Sequence, residues 1–271
     1  MNKKFAIIGG ITAVVILVGF LVIKSKSSDI YAKSGKGPSP QKLSQEAAAF
    51  KNNGDLVKAQ ESYQEIMSDY PDYEKIDEVQ SELESVNLSL ILSNEPIPNK
   101  TVVHEVGEGD SLAKIAKKYG TTVDLIKISN HLSKDTIRVG QKIRIWLGKF
   151  NIFVDKSQNV LILKDNDEVV KVYHVSTGHD NSTPVGQFKI TSKLENPVWF
   201  KQGIAVPPES PENVLGTRWL GFDIPEYGIH GTTDPDKIGQ QVTAGCVRMR
   251  NQEVEELYNL IPLGTSVTIV N

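Results

Sequence analysis

The groups best suited to covalent chemistry fall between residues 228 and 249. Gly228-Ile229-His230-Gly231-Thr232 is followed, after a short insertion, by Thr243-Ala244-Gly245-Cys246-Val247-Arg248-Met249. Cys246 is the only cysteine among 271 residues, so it has no disulfide partner within the chain. A lone cysteine is commonly an inert, buried small hydrophobe, and its neighbours must decide otherwise. A thiol attacks as the thiolate, and its free pKa is about 8.5. A nearby imidazole takes that proton and later returns it to a leaving amine. Glycine at 245 lets a substrate carbonyl approach the backbone beside the sulfur. Backbone N–H groups at a tight turn can then hold the oxyanion, typically worth ~3 kcal/mol per donor. A Cys246–His230 pair therefore suits acyl transfer through a thioester.

These residues resemble the catalytic signature of the YkuD-type L,D-transpeptidase family: His-Gly-Thr, a short insertion, then Ser/Thr-x-Gly-Cys-Ile/Val-Arg. The likeness continues in Ser176-Thr-Gly-His-Asp-Asn-Ser-Thr183-Pro-Val-Gly186, in Asn196-Pro197-x-Trp199 and in Leu215-Gly216-Thr217-Arg218-Trp219. It covers essentially all of 150 to 271. The resemblance implies that Cys246 is the nucleophile and His230 the general acid/base. It implies that the Gly231 carbonyl orients the imidazole, and that the Gly245 and Cys246 N–H groups face the oxyanion. Arg248 matches the family's arginine, with contact to a substrate carboxylate and bracing of the loop both open. Thr232, Trp199 and Tyr227 are expected, with Arg248, to contact substrate, and Thr243 to be structural. Ala244 stands where many members carry His, which leaves proton transfer to His230. Packing is the expected role of His174, and His179 is expected to be structural although its loop could line the cleft. The Pro-rich stretch from Pro197 to Pro211 resembles a cleft-covering loop.

The implied donor is a peptidoglycan tetrapeptide stem ending in D-alanine. Cys246 would attack the L-to-D bond, D-alanine would leave, and a side-chain amine of a second stem would form a 3→3 cross-link. No cofactor is implied, and no His, Cys and Asp spacing suggests a metal site. Carbapenems are the expected inhibitors. Water as acceptor would instead make a carboxypeptidase or endopeptidase, and a protein amine would attach a protein to the wall. A rival of another class is an inactive glycan-binding scaffold. Slow alkylation at neutral pH and an ordinary thiol pKa would favour it.

Such a site needs a rigid frame, and period-2 runs supply one. Asn151–Asp155, Asn159–Leu163, Glu168–Val175, Gly186–Thr191 and Ser266–Val270 alternate between turn residues, with one helix at Asn251–Leu260. A mostly-β, mostly antiparallel sandwich is expected over 150–271. Residues 101–147 resemble a LysM domain of βααβ order. A strand runs to Val106, Gly109-Asp110-Ser111 caps a helix bearing Leu112, Ile115, Ala116 and Tyr119, and Gly120 stops it. Thr121-Thr122 opens a second helix bearing Val123, Leu125 and Ile126, and Lys142–Trp146 is the last strand. That resemblance implies binding to glycans such as peptidoglycan. His104 and His131 are expected to be structural or exposed.

Residues 43–94 read as helices, with Gly54-Asp55, Ala59, Tyr63 and Tyr70-Pro71 resembling a single tetratricopeptide-like unit that serves as a spacer. Residues 29–42 have linker composition. Residues 1–28 read as a membrane anchor: Phe5–Ile23 is uncharged, and nineteen helical residues span roughly 28 Å, near bilayer thickness. The exit Val22-Ile23-Lys24-Ser25-Lys26 has no small-x-small cleavage site, so an uncleaved single-pass anchor is expected. LysM and catalytic domains would then lie outside the cytoplasm, in periplasm or cell wall. The whole is a multidomain chain with 39% apolar and 23% charged residues and a net charge of -3. It has no basic surplus for phosphates, which argues against nucleic acid as a partner.

Overall fold

The computed structural model describes residues 37–201 and 203–271. The expected anchor at 5–23 and most of the linker lie outside these residues. Among the described residues, no helix is long and apolar enough to cross a membrane.

The chain divides into two compact units. The first holds the helices up to Leu90 together with Asp167–Val169. Helix α1 (Pro40–Asn52) begins three residues before the expected helical start, because Ser39 caps it and Pro40 occupies its first turn. Asp55 accepts from the Lys58 N–H and so starts α2 (Leu56–Asp69), which packs on α1. A third helix, α3, spans Ile76–Leu92. Leu43, Ala47, Ala59, Tyr63, Ile66, Val79 and Val86 form the core of this unit. Their three- and four-residue spacing is what the sequence shows.

The second unit holds everything else described. It starts with β1 (Thr101–Glu105), α4 (Leu112–Tyr119), α5 (Val123–Ser129) and β2 (Lys142–Trp146), with β1 and β2 antiparallel. Ser111 and Thr122 cap the two helices by accepting from the Lys114 and Leu125 N–H groups. Val106, Leu112, Ile115, Ala116, Ile126, Ile143 and Ile145 make the core. His104 is structural: its ring nitrogens face the Tyr119 hydroxyl at 3.1 Å and the Asp110 carboxylate at 3.0 Å. His131 is exposed.

The C-terminal part is one eight-stranded mixed sheet with two short ribbons beside it. Its strands are β3 (Phe150–Asp155), β4 (Val160–Asp165), β5 (Glu168–His174), β7 (Gly186–Glu195), β10 (Arg218–Phe222), β11 (Gly228–His230), β13 (Val247–Arg248) and β14 (Ser266–Val270). Their order is β13-β11-β10-β7-β14-β3-β4-β5. The ribbons pair β6 (Thr177–Gly178) with β12 (Gln241–Thr243), and β8 (Trp199–Lys201) with β9 (Ile204–Val206). The β-rich expectation holds, but the pairing is less antiparallel than alternation suggests. β14 enters between β7 and β3 and runs parallel to β3, and β13 runs parallel to β11. Helix α6 (Asn251–Leu260) carries the chain from β13 at the sheet edge to β14 in its interior. A register shift at Gly221/Phe222 bends the sheet beside the site.

The βααβ module is docked on this sheet. Trp146 Nε1 donates to the buried Asp165 carboxylate at 3.0 Å, and Thr122 Oγ1 donates to the Asn259 carbonyl at the end of α6. Gly148 makes the junction, because a Cβ there would overlap the Trp146 indole and the Asp165 carboxylate.

Candidate active site

Parallel pairing of β11 and β13 brings the two halves of the motif together. His230 faces Arg248 in the register, and Ile229 faces Val247. Side chains alternate along a strand, so Cys246 projects from the same side as Arg248 and next to Gly228. Gly228 leaves that space free for Trp219, whose ring a Cβ at 228 would approach to 2.9 Å. Trp219 pairs with His230 across β10 and β11 and stacks on its imidazole, with centroids 6.1 Å apart and planes at 20°.

The imidazole is buried. Its Nδ1 lies 2.7 Å from the Gly231 carbonyl, which can only accept, so Nδ1 carries the proton. Nε2 is then left with a lone pair. The Cys246 thiol is half-buried and donates to the Glu226 carbonyl at 3.4 Å. Thiol and imidazole share no hydrogen bond in this structure.

Thr243 staples the turn that carries Cys246. Its Oγ1 donates to the Cys246 carbonyl at 2.7 Å and accepts from the Gly245 N–H at 3.2 Å. Gly245 has φ 137°, a conformation that a side chain disfavours, and the Tyr227 ring lies over it. Of the two expected oxyanion donors, the Gly245 N–H is therefore already engaged. The Cys246 N–H has no partner among the described residues.

Burial dominates the electrostatics. It lowers the His230 pKa to about 4, with the Arg248 charge adding to the shift and the Gly231 carbonyl opposing it. Burial also raises the Cys246 pKa to about 11, against the Gly228 N–H and the Arg248 charge. The resting pair is thus a neutral thiol beside a neutral imidazole. Arg248 has its own pKa lowered by burial, its Nε is buried without a hydrogen-bond partner, and Asp234 is its acidic neighbour.

The other expected residues divide. Tyr227 reaches the Cys246 turn, with its ring against Gly245. Thr232 is buried with its N–H given to Asn251 Oδ1 and its hydroxyl accepting from the Asp234 N–H, so its polar groups are internal rather than free for substrate. Trp199 sits on the β8–β9 ribbon opposite Val206. Asn213 pins that ribbon, its side-chain amide donating to the Pro197, Val206 and Pro207 carbonyls. His174 is exposed rather than packed, as the last residue of an alternating strand, and His179 is exposed beside Asp180. Sequence reasoning missed Asn251. Its signal is the recurrence of Gly-Thr, at 216–217 and 231–232, just before and after β10–β11. Among the described residues no group of three or more His, Cys, Asp or Glu is placed to hold a metal ion.

The site thus joins a thiol and an imidazole on a β scaffold, and its likeness to known proteins is specific. The family model of the YkuD L,D-transpeptidase catalytic domain matches residues 149–269, and that of the LysM domain matches 104–146. A relative in Bacillus subtilis (strain 168), YqjB, whose name assigns it provisionally to the L,D-transpeptidases, is 43% identical over 126 residues, covering 44% of this chain and 70% of that one. YkuD of the same strain, named in the same way, is 31% identical over 175 residues, covering 62% of this chain and 98% of its own. A solved L,D-transpeptidase from Mycobacterium smegmatis shares 18% identity over 49% of this chain and 65% of its own, with a TM-score of 0.40. The chain belongs to the YkuD family of L,D-transpeptidases and carries an N-terminal LysM domain. It is a transpeptidase of the acyltransferase class.

Proposed function

We propose that the protein is a membrane-anchored cysteine L,D-transpeptidase acting on peptidoglycan tetrapeptide stems, with Cys246 as nucleophile and His230 as general acid/base. The observation that carries the reading is the His230 imidazole: buried, neutral, and held through Nδ1 by the Gly231 carbonyl beside Cys246. A proton acceptor with a free Nε2 lone pair is what a neutral thiol needs.

As the donor carbonyl arrives, the thiol turns from Glu226 and gives its proton to Nε2 while sulfur bonds to carbon. The Cys246 N–H receives the oxyanion. Collapse breaks the C–N bond, and Nε2 returns the proton to the departing D-alanine amine. An amine of a second stem then attacks the thioester and gives its proton to Nε2. Sulfur leaves and takes that proton back, which closes the cycle with a new amide. The buried Arg248 Nε has no hydrogen-bond partner among the described residues, which supports contact with a substrate carboxylate over bracing of the loop.

The LysM domain would bind the glycan of the same polymer. The uncharged stretch at 5–23 supports a membrane anchor, and the peptidoglycan-directed domains would place the body outside the cytoplasm. Carbapenems would acylate Cys246.

One observation favours the scaffold reading: a thiol raised to about 11 with no hydrogen bond to the base. Mass spectrometry of disaccharide-tetrapeptide incubated with the full chain separates the two. A dimer lacking one D-alanine, absent with C246A, supports the transpeptidase. Tripeptide without dimer supports hydrolysis, and unchanged substrate with folded protein supports the scaffold.

A further inference from the structure

Asn251 is the first residue of α6, and its side-chain oxygen reaches back to the site. Oδ1 accepts from the Thr232 N–H at 2.9 Å and from the Thr217 N–H at 3.3 Å. These two donors follow the two glycines of the repeated Gly-Thr pair. A Cβ on Gly216 or on Gly231 would overlap Oδ1, and one on Gly216 would also lie 2.7 Å from the Gly231 carbonyl carbon. The glycines are thus what permits one oxygen to serve both loops.

The consequence runs through a single peptide plane. The Thr232 N–H and the Gly231 C=O belong to the same planar, trans unit, so they point in opposite directions. Fixing the N–H on Asn251 fixes the direction of the carbonyl, and that carbonyl accepts from His230 Nδ1. The Leu215 backbone, next to the clamped Gly216-Thr217 segment, also raises the imidazole pKa. Asn251 thus fixes the peptide that carries the carbonyl against Nδ1.

We propose that Asn251 is the positioning residue of the catalytic base: it sets the peptide plane that holds His230 in the Nδ1–H tautomer and leaves Nε2 free. This rests on the reading of His230 as base, and the test keeps the two apart. The ring 15N resonances of His230 are recorded in wild type, N251A and N251D, alongside kcat and KM for stem cross-linking. In N251A the ring should lose its single Nδ1–H tautomer, and kcat should fall roughly 10- to 100-fold with KM unchanged. N251D keeps an acceptor for both N–H groups, so it should retain the tautomer. Its added negative charge should move the acid limb of the pH profile upward. An N251A ring spectrum identical to wild type overturns the proposal. A changed ring with undiminished cross-linking upholds the positioning and instead sinks His230 as base. Should N251A fail to fold, N251D decides alone: a mixed-tautomer ring overturns the proposal, and a held ring with a raised acid limb supports it.

Discussion

The imidazole of His230 lies on the indole of Trp219, with centroids 6.1 Å apart and planes only 20° from parallel. The stack closes one face of the base and limits its tilt. Replacing Trp219 by Ala should lower kcat about tenfold or more by loosening the imidazole. W219F, which keeps a ring, should retain most of the rate. Steady-state kinetics on both variants checks this, and equal losses would deny the stack a role beyond filling space.

Burial of His230 also writes itself into the acid stability. Its folded pKa is lowered from 6.5 to about 4, so between these values the unfolded chain binds more protons than the folded one. That contribution to stability is fully present above pH 6.5 and is lost as pH falls toward 4. Urea midpoints measured across this window should fall with pH more steeply in wild type than in H230Q. Parallel slopes would contradict a buried neutral imidazole.

The thiol reports at the other end of the scale. With its pKa raised to about 11, Cys246 should alkylate slowly with iodoacetamide at pH 7 and speed up toward pH 11. Turnover at neutral pH should persist, because the proton leaves only as the substrate arrives. Rapid alkylation at pH 7 would show a resting thiolate instead.

Thr243 joins the Cys246 carbonyl to the Gly245 N–H through one hydroxyl. T243V preserves shape and removes both bonds, leaving two groups at the turn unsatisfied. It should cost on the order of 2 kcal/mol in stability and lower kcat as the turn relaxes. Thermal melts and kinetics on the same preparation test it.

At the junction between the two domains, G148A should destabilise by about 1–3 kcal/mol, since a methyl group there overlaps Trp146 and Asp165. Denaturant titration measures the loss. No loss would mean that the joint yields easily.

Much of this was legible from residue types alone. Ser111, Gly120 and Thr122 punctuate the βααβ module where the helices start and stop, and Asn251–Leu260 is helical over the expected span. The pairing of the His230 and Cys246 segments was legible because their neighbours spell a motif, and β11 and β13 lie side by side. What escaped depends on distant partners. The two- to five-residue strands around the site are too short to show alternation, and nothing local to Ser266–Val270 says that it inserts between β7 and β3. The Gly245 N–H looked available until Thr243 was seen to take it. Asn251 reads as an ordinary helix-start residue, and Thr232 as a substrate contact, until folding places one on the other.

The Thr122–Asn259 and Trp146–Asp165 bonds make the joint between the LysM domain and the transpeptidase domain stiff. A module on a loose tether searches a volume, whereas one bolted to its neighbour works as a calliper. If the LysM domain grips a sugar as proposed, the distance from that sugar to Cys246 is set by the fold. Stems would then be chosen by their phase along the helical glycan strand, and cross-links would fall at a regular interval from each gripped position.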